Sequence, residues 1–260
     1  MKQILSVFQP NKAVSSNTLR FVAGFQVLAF LVFWLYLTPN IIPKPLGIFN
    51  AWLHLWEEGL GQELYTSFIL NLEAMAVATA ISLFLAYGTV LAFFRPIVEL
   101  LSKFRFLGLL GLTFIFTLMV AGANLKIMIL VFGISGFLIT EFAVIVSSIP
   151  KEEFDLARTL RMSEWRIVYE VIILGQADRV FNVIRTNMAI GWTMLTMVEG
   201  LVRAEGGLGT LIIVQSKYFK LDAVFAIQIT ILLVAILQDY LIGVIKGLVC
   251  PYANIAMEKK

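Results

Sequence analysis

Three glutamates, Glu73, Glu141 and Glu199, stand inside runs apolar enough to cross a membrane, in company with Asn71, Asn187, Gln228 and Asp239. Ionisable groups at such depth are costly, and they mark proton relays, ion paths or paired charges. Glu199 has Arg203 four residues on, so it reads either as half of a helix-local ion pair or as a lining group near an outer gate. Glu73 and Glu141 have no cation at helical spacing; each is paired across helices or lines a wet cavity. Other chemistry is poorly served. The single Cys250 excludes an internal disulfide and a cysteine-based metal cluster. The lone His54, between Trp52 and Trp56, reads as an interfacial side chain rather than a ligand. No phosphate loop of the G-x-x-x-x-G-K-[ST] type occurs, since the cluster Gly206, Gly207, Gly209 lacks the lysine. No catalytic residue, metal or cofactor of the chain's own is expected.

A second constellation is a charged stretch from Pro150 to Leu174, PKEEFDLARTLRMSEWRIVYEVIIL, set between apolar runs. Glu152, Glu153 and Asp155 follow Pro150 in a first helical turn, where acids and proline both suit a helix N-terminus. Phe154, Ala157 and Leu160 then share one face, with Glu153, Arg158 and Arg161 pointing elsewhere. Ser163 is placed to cap a second helix carrying Trp165, Val168, Val171 and Ile172. The spacing predicts a short helix, a bend and another helix.

The elements that must hold these residues follow from composition. A chain of 260 residues that is 60% hydrophobic and 14% charged exceeds what one soluble core can bury. Six runs are long enough for a hydrocarbon core of about 30 Å: Phe21 to Thr38, Thr66 to Phe94, Phe104 to Ala121, Lys126 to Ser148, Val180 to Val202 and Ala223 to Val249. They lack the in-out alternation of barrel strands. An all-α polytopic membrane protein with about six transmembrane helices is therefore expected, the first run being a retained span rather than a cleaved signal.

With both ends on one side, that side holds Lys2, Lys12, Arg20, Arg95, Lys103, Arg105, Lys151, Arg158, Arg161, Arg166, Arg179, Arg185, Lys246, Lys259 and Lys260, fifteen of the 20 basic residues. The positive-inside bias puts both termini and the 150–179 loop in the cytoplasm. That bias accounts for the net positive charge without a nucleic-acid partner. The domain plan is a cytoplasmic leader 1–20, one transmembrane domain 21–249 and a short cytoplasmic tail 250–260. Outside the spans, Leu46, Phe49, Trp52, Leu53 and Trp56 recur at helical spacing after Pro43 and Pro45, predicting an interfacial helix that Gly59 ends. A short helix over Leu211 to Tyr218 follows the glycine cluster, and Asp222 is placed to cap the last span.

The 150–174 stretch resembles the permease subunits of bacterial binding-protein-dependent ABC importers, of the nitrate, sulfonate and taurine group. Their cytoplasmic signature runs Glu-Ala-Ala, three residues, Gly, nine residues, Ile-x-Leu-Pro, and in this group often reads like AARTLGAS. Asp155-Leu156-Ala157-Arg158-Thr159-Leu160-Arg161-Met162-Ser163 occupies that frame. Gly191-Trp192, Glu199 and Gly207-Leu208-Gly209-Thr210-Leu211-Ile212 are similar to the group's Trp, acidic residue and GLG-x-x-I sequence. Ile42-Pro43-Lys44-Pro45 and Ser67-Phe68 are similar to its LPSP entry and the start of its second span. Arg161 stands where the signature has Gly, and Leu174 where it has Pro.

The resemblance implies a permease domain of the type I ABC importer kind in a bacterial cytoplasmic (inner) membrane, taking up a small solute such as nitrate, sulfonate or taurine. It implies a cytoplasmic ATPase that holds ATP and Mg, an extracytoplasmic solute-binding protein and a second permease copy, all within the lipid bilayer. The coupling contact would fall on Glu152, Glu153, Phe154, Asp155, Leu156, Ala157, Arg158, Leu160, Arg161, Met162 and Trp165, and the path or gate on Glu73, Glu141, Trp192 and Glu199. If the bend falls where the group has its glycine, Arg161 takes a left-handed conformation at a cost of about 1 kcal/mol; otherwise the bend falls at Ser163. Two other classes fit an apolar polytopic chain: a proton- or ion-coupled carrier using the three glutamates as a relay, against which the lack of an internal repeat argues, and a non-transporting membrane scaffold.

Overall fold

The computed structural model describes residues 15–36, 42–120, 123–203 and 206–251. Among these residues every regular element is helical, and no strand occurs. The chain runs through α1 (Ser16–Tyr36), α2 (Pro45–Glu57), α3 (Leu60–Gly88), α4 (Phe94–Ser102), a 3-10 turn (Lys103–Phe106), α5 (Leu109–Met119) and α6 (Ala123–Ser147). It continues through α7 (Lys151–Thr159), α8 (Glu164–Ile167), a π-helical segment (Val168–Leu174), α9 (Ala177–Leu201), α10 (Leu208–Lys217) and α11 (Leu221–Val249). Most of the expected leader and tail, residues 1–14 and 252–260, lies outside the described residues.

α6 is the centre of the bundle. Its stripe Leu130, Ile134, Leu138 and Phe142 repeats every four residues and is fully enclosed, so one face of the helix meets protein along most of its length. α3, α4, α5 and α9 all pack on it. α11 packs instead on α2, α9 and α10. The Trp52 indole of α2 donates to the Thr230 hydroxyl of α11 at 3.0 Å, so the helix expected to lie in the interface also turns one side onto the bundle. α1, capped at its start by Ser15 through the Thr18 amide, buries no residue; the Trp34 indole bonds the Pro43 carbonyl at 3.1 Å.

Among the described residues four helices are long and apolar enough to cross a membrane, and five segments are if α4 and α5 count as one bent span. The expected run 104–121 is broken. Leu107 and Gly108 are extended, and the pieces on either side meet at 109°. Packing on α6 holds this break: Phe104 stacks on Phe132 at 5.6 Å between ring centres, and the Arg105 backbone lies where a side chain on Gly136 would be, 2.9 Å away. Alone, the 11 residues of α5 reach about 16 Å, half a hydrocarbon core. α9 is long enough at 25 residues but too polar to qualify. The Asp222 expected to cap α11 falls inside its first turn.

Candidate functional site

The bend after α7 is closed by backbone. The Met162 amide donates to the Ala157 carbonyl at 3.2 Å and the Arg161 amide to the Arg158 carbonyl at 2.9 Å, the paired bonds of a Schellman ending. Arg161 occupies its left-handed position with φ 57°, the place where glycine is usual. The bend therefore falls at Arg161 and not at Ser163. Ser163 makes no side-chain cap bond; α8 starts through its carbonyl, which accepts from the Ile167 amide at 2.9 Å.

Arg158 braces the corner, its guanidinium meeting the Glu164 carboxylate at 3.1 Å and Asp155 at 3.4 Å. The hydrogen bond and charge of Glu164, with Asp155 behind, raise the Arg158 pKa above its ordinary value. Arg158, one of the residues expected at the coupling contact, thus spends its charge on Asp155 and on Glu164 of α8. Glu152, Glu153 and Arg161 do project outward.

The apolar side of α7 faces two ways. Ala157 is buried, and Phe154 is half-buried in a cavity of about 600 Å3 with Val98, Thr140, Ser147 and Ile172. The shared face of Phe154, Ala157 and Leu160 is thus covered unevenly, with Ala157 buried, Phe154 half-buried beside the cavity and Leu160 open. The outward apolar surface is Leu156 (64% exposed), Leu160 (64%) and Trp165 (71%), with Met162 half-buried beside them.

At the other end of the bundle, Glu199 is completely buried. The Ser67 hydroxyl donates to one of its oxygens at 2.6 Å, and the Gly209 amide to the other at 2.8 Å. The Leu208 amide donates to the Ser67 oxygen at 2.9 Å, and the Gly207 amide to Glu63. Buried Lys126 holds the Gly206 carbonyl at 2.8 Å. Gly206 and Gly207 have φ of 71° and 106°, and a side chain on either would collide with Glu63 or Glu199. Two carboxylates, a serine and a lysine thus clamp the glycine turn onto α3, α6 and α9, satisfying the free amides that begin α10. The expected pairing of Glu199 with Arg203 does not form; the Arg203 guanidinium bonds the Gly200 carbonyl.

Of the other path candidates, Trp192 is buried and ties α9 to α11 through the Gln238 side chain at 2.7 Å. Glu73 is exposed and Glu141 half-buried; neither has a hydrogen-bond or ion-pair partner among the described residues.

A polar face absent from the expected site residues lies on α9. Asn182, Arg185, Thr186, Ala189 and Thr193 are all exposed, with Thr196 half-exposed in line with them, over about 21 Å at 1.5 Å per residue. Arg185 forms a two-pronged ion pair with Asp239 of α11, and Lys246 bonds the Asn182 side chain at 2.8 Å. The Thr186 and Thr193 hydroxyls donate to carbonyls four residues back. The signal was in the sequence as polar residues at steps of three and four inside the fifth run. Hydrocarbon is a poor neighbour for such a face.

The fold and these sites define an all-helical protein, among the described residues, with four or five helical segments long and apolar enough to cross a membrane. No protein-family model matches the chain, and no curated protein matches it.

Proposed function

We propose that the chain is the transmembrane permease subunit of a binding-protein-dependent ABC importer for a small solute of the nitrate, sulfonate or taurine kind. The observation that carries this reading is the bend at Arg161. It presents Leu156, Leu160 and Trp165 outward from a corner braced by Arg158 and Glu164, an apolar anchor with a charged rim of the sort a soluble partner buries.

The polar face of α9 supports a wet path beside it. In this reading α9 and the broken α4–α5 pair complete six spans, both termini are cytoplasmic in a bacterial inner membrane, and two copies enclose the path around a two-fold axis. Glu73 and Glu141 are its acidic lining candidates. ATP and Mg belong to the partner ATPase, and solute selection to the extracytoplasmic binding protein.

The test is purification of the tagged chain from its source cells. Co-purification of an ATPase and a binding protein, and ATP hydrolysis stimulated by the loaded binding protein in proteoliposomes, are expected. Exposed, unpartnered Glu73 favours one second reading, an ion-coupled carrier. Solute-driven proton flux by the chain alone, with no ATPase recovered, would establish that reading instead.

A further inference from the structure

We propose that the π-helical segment Val168–Leu174 is a screw joint, convertible to an α-helix, that turns the Arg161 bend against α9. π-Helical runs are rare, usually a single turn, and concentrate where proteins work; this one extends over seven residues. The Gly175 amide reaches back five residues to the Glu170 carbonyl at 3.0 Å. A side chain on Gly175 would stand 2.6 Å from the Val171 carbonyl oxygen and 3.2 Å from that of Glu170. Glycine is thus what lets the wide turn close.

Nothing in VYEVIIL forbids the narrower helix, since the segment contains neither proline nor glycine. The segment also lies between two braced bodies. Upstream, Arg158 locks α7 to α8; downstream, Arg185–Asp239 and Trp192–Gln238 lock α9 to α11. A change of one residue in α-register is a turn of about 100° and a shift of about 1.5 Å, delivered where the two bodies join.

A separate observation marks α9 as a helix with a second seat. At its contact with α3, Asn71 and Asn187 are completely buried, yet both amide atoms of Asn71 and the Asn187 oxygen have no hydrogen-bond partner among the described residues. The Asn71 oxygen is pressed into the space left by Gly191, 2.9 Å from where a side chain would begin. Buried amides normally find partners. A shift of α9 against α3 would change what these three atoms and Gly191 meet.

The joint rests on the permease reading only for what it would move, and its test needs no ATPase. In a Cys250→Ser background, spin labels at Arg166 and Arg179, exposed on either side of the joint, report their separation in lipid nanodiscs. Gly175→Ala, which cannot close the wide turn, is expected to swing one label by about 8 Å against the other, the chord of a 100° turn on a helix 10–12 Å across, and so to shift the separation by up to that amount. Deleting Ile173 removes the extra residue along with the wide turn, so the flanks keep their register and the wild-type separation is expected. An unchanged separation in folded Gly175→Ala, or a moved one in the folded Ile173 deletion, overturns the proposal. So does failure of both variants to fold, because the α-register is then not an accessible state. Loss of solute-coupled ATP hydrolysis in Gly175→Ala with the ATPase still bound would extend the joint to coupling. A wild-type chain that recovers no ATPase would sink the permease reading and leave the distance result standing.

Discussion

Ser67 of α3 and Glu199 of α9, 132 residues apart, meet through a 2.6 Å hydrogen bond that no solvent reaches. The same serine oxygen accepts the Leu208 amide, so one hydroxyl joins two long helices to the start of a third. A carboxylate buried like this is stabilised by what it accepts, and each lost partner leaves a desolvated group behind.

Glu199→Ala is therefore expected to lower stability by about 2–3 kcal/mol, because the Ser67 hydroxyl and the Gly209 amide both lose their acceptor. Glu73→Ala, on an exposed carboxylate without partners, is expected to change it by under about 0.5 kcal/mol. Thermal unfolding of the two variants in the same detergent checks the contrast. Equal shifts would mean that the glycine turn is not held by Glu199.

Arg161→Gly is expected to stabilise the bend by about 1 kcal/mol, since glycine takes the left-handed conformation without the strain of a side chain. Limited proteolysis at the 159–163 corner and the melting temperature both report it. A fall in stability would show that the Arg161 side chain contributes more than its backbone strain costs.

Leu160→Asp places a charge in the outward apolar patch and leaves the inward pair Phe154 and Ala157 alone. Loss of ATPase co-purification is expected, worth about 2 kcal/mol or more if the site is desolvated on docking. Phe154→Asp should instead harm the fold, because Phe154 sits in the cavity under α7. Retention of the ATPase by a well-folded Leu160→Asp chain removes this patch from the interface.

Cysteines introduced at Glu153 and Ser163 of a Cys250→Ser chain should resist an impermeant reagent added outside cells, while those at Glu58 and Lys217 should react. Reaction at Glu153 from outside would invert the orientation.

The corner 150–174 was legible because its signals are local: Pro150, the acids after it, and a short amphipathic run. Which side of α7 faces in was not, since an apolar stripe records that something covers it and not what. Phe154 and Ala157 found their cover within the chain, and Leu160 did not. Glu199 misled for a related reason: Arg203 lies four residues away in sequence, whereas the real partners come from α3 and from the turn at Gly209. The break before α5 was hidden because Phe104, Leu107 and Leu109 are as apolar as any span; it is set by how Phe104 and Arg105 seat on Phe132 and Gly136. The face of α9 was written in the residues at 182, 185, 186 and 193, but a window that averages hydropathy erases a one-sided polarity.

The composition of α9 also constrains how the protein is made. As a span it carries Asp178, Arg179, Arg185 and Glu199, and a charged residue near the centre of an inserting helix costs about 2.5–3.5 kcal/mol. Left to partition by itself as it emerges from the ribosome, this segment would favour water. Asp239, which neutralises Arg185, is synthesised only later, on α11. In the permease reading α9 then waits at the membrane until α11 arrives, and a nascent chain cut off before residue 239 should leave α9 outside the bilayer.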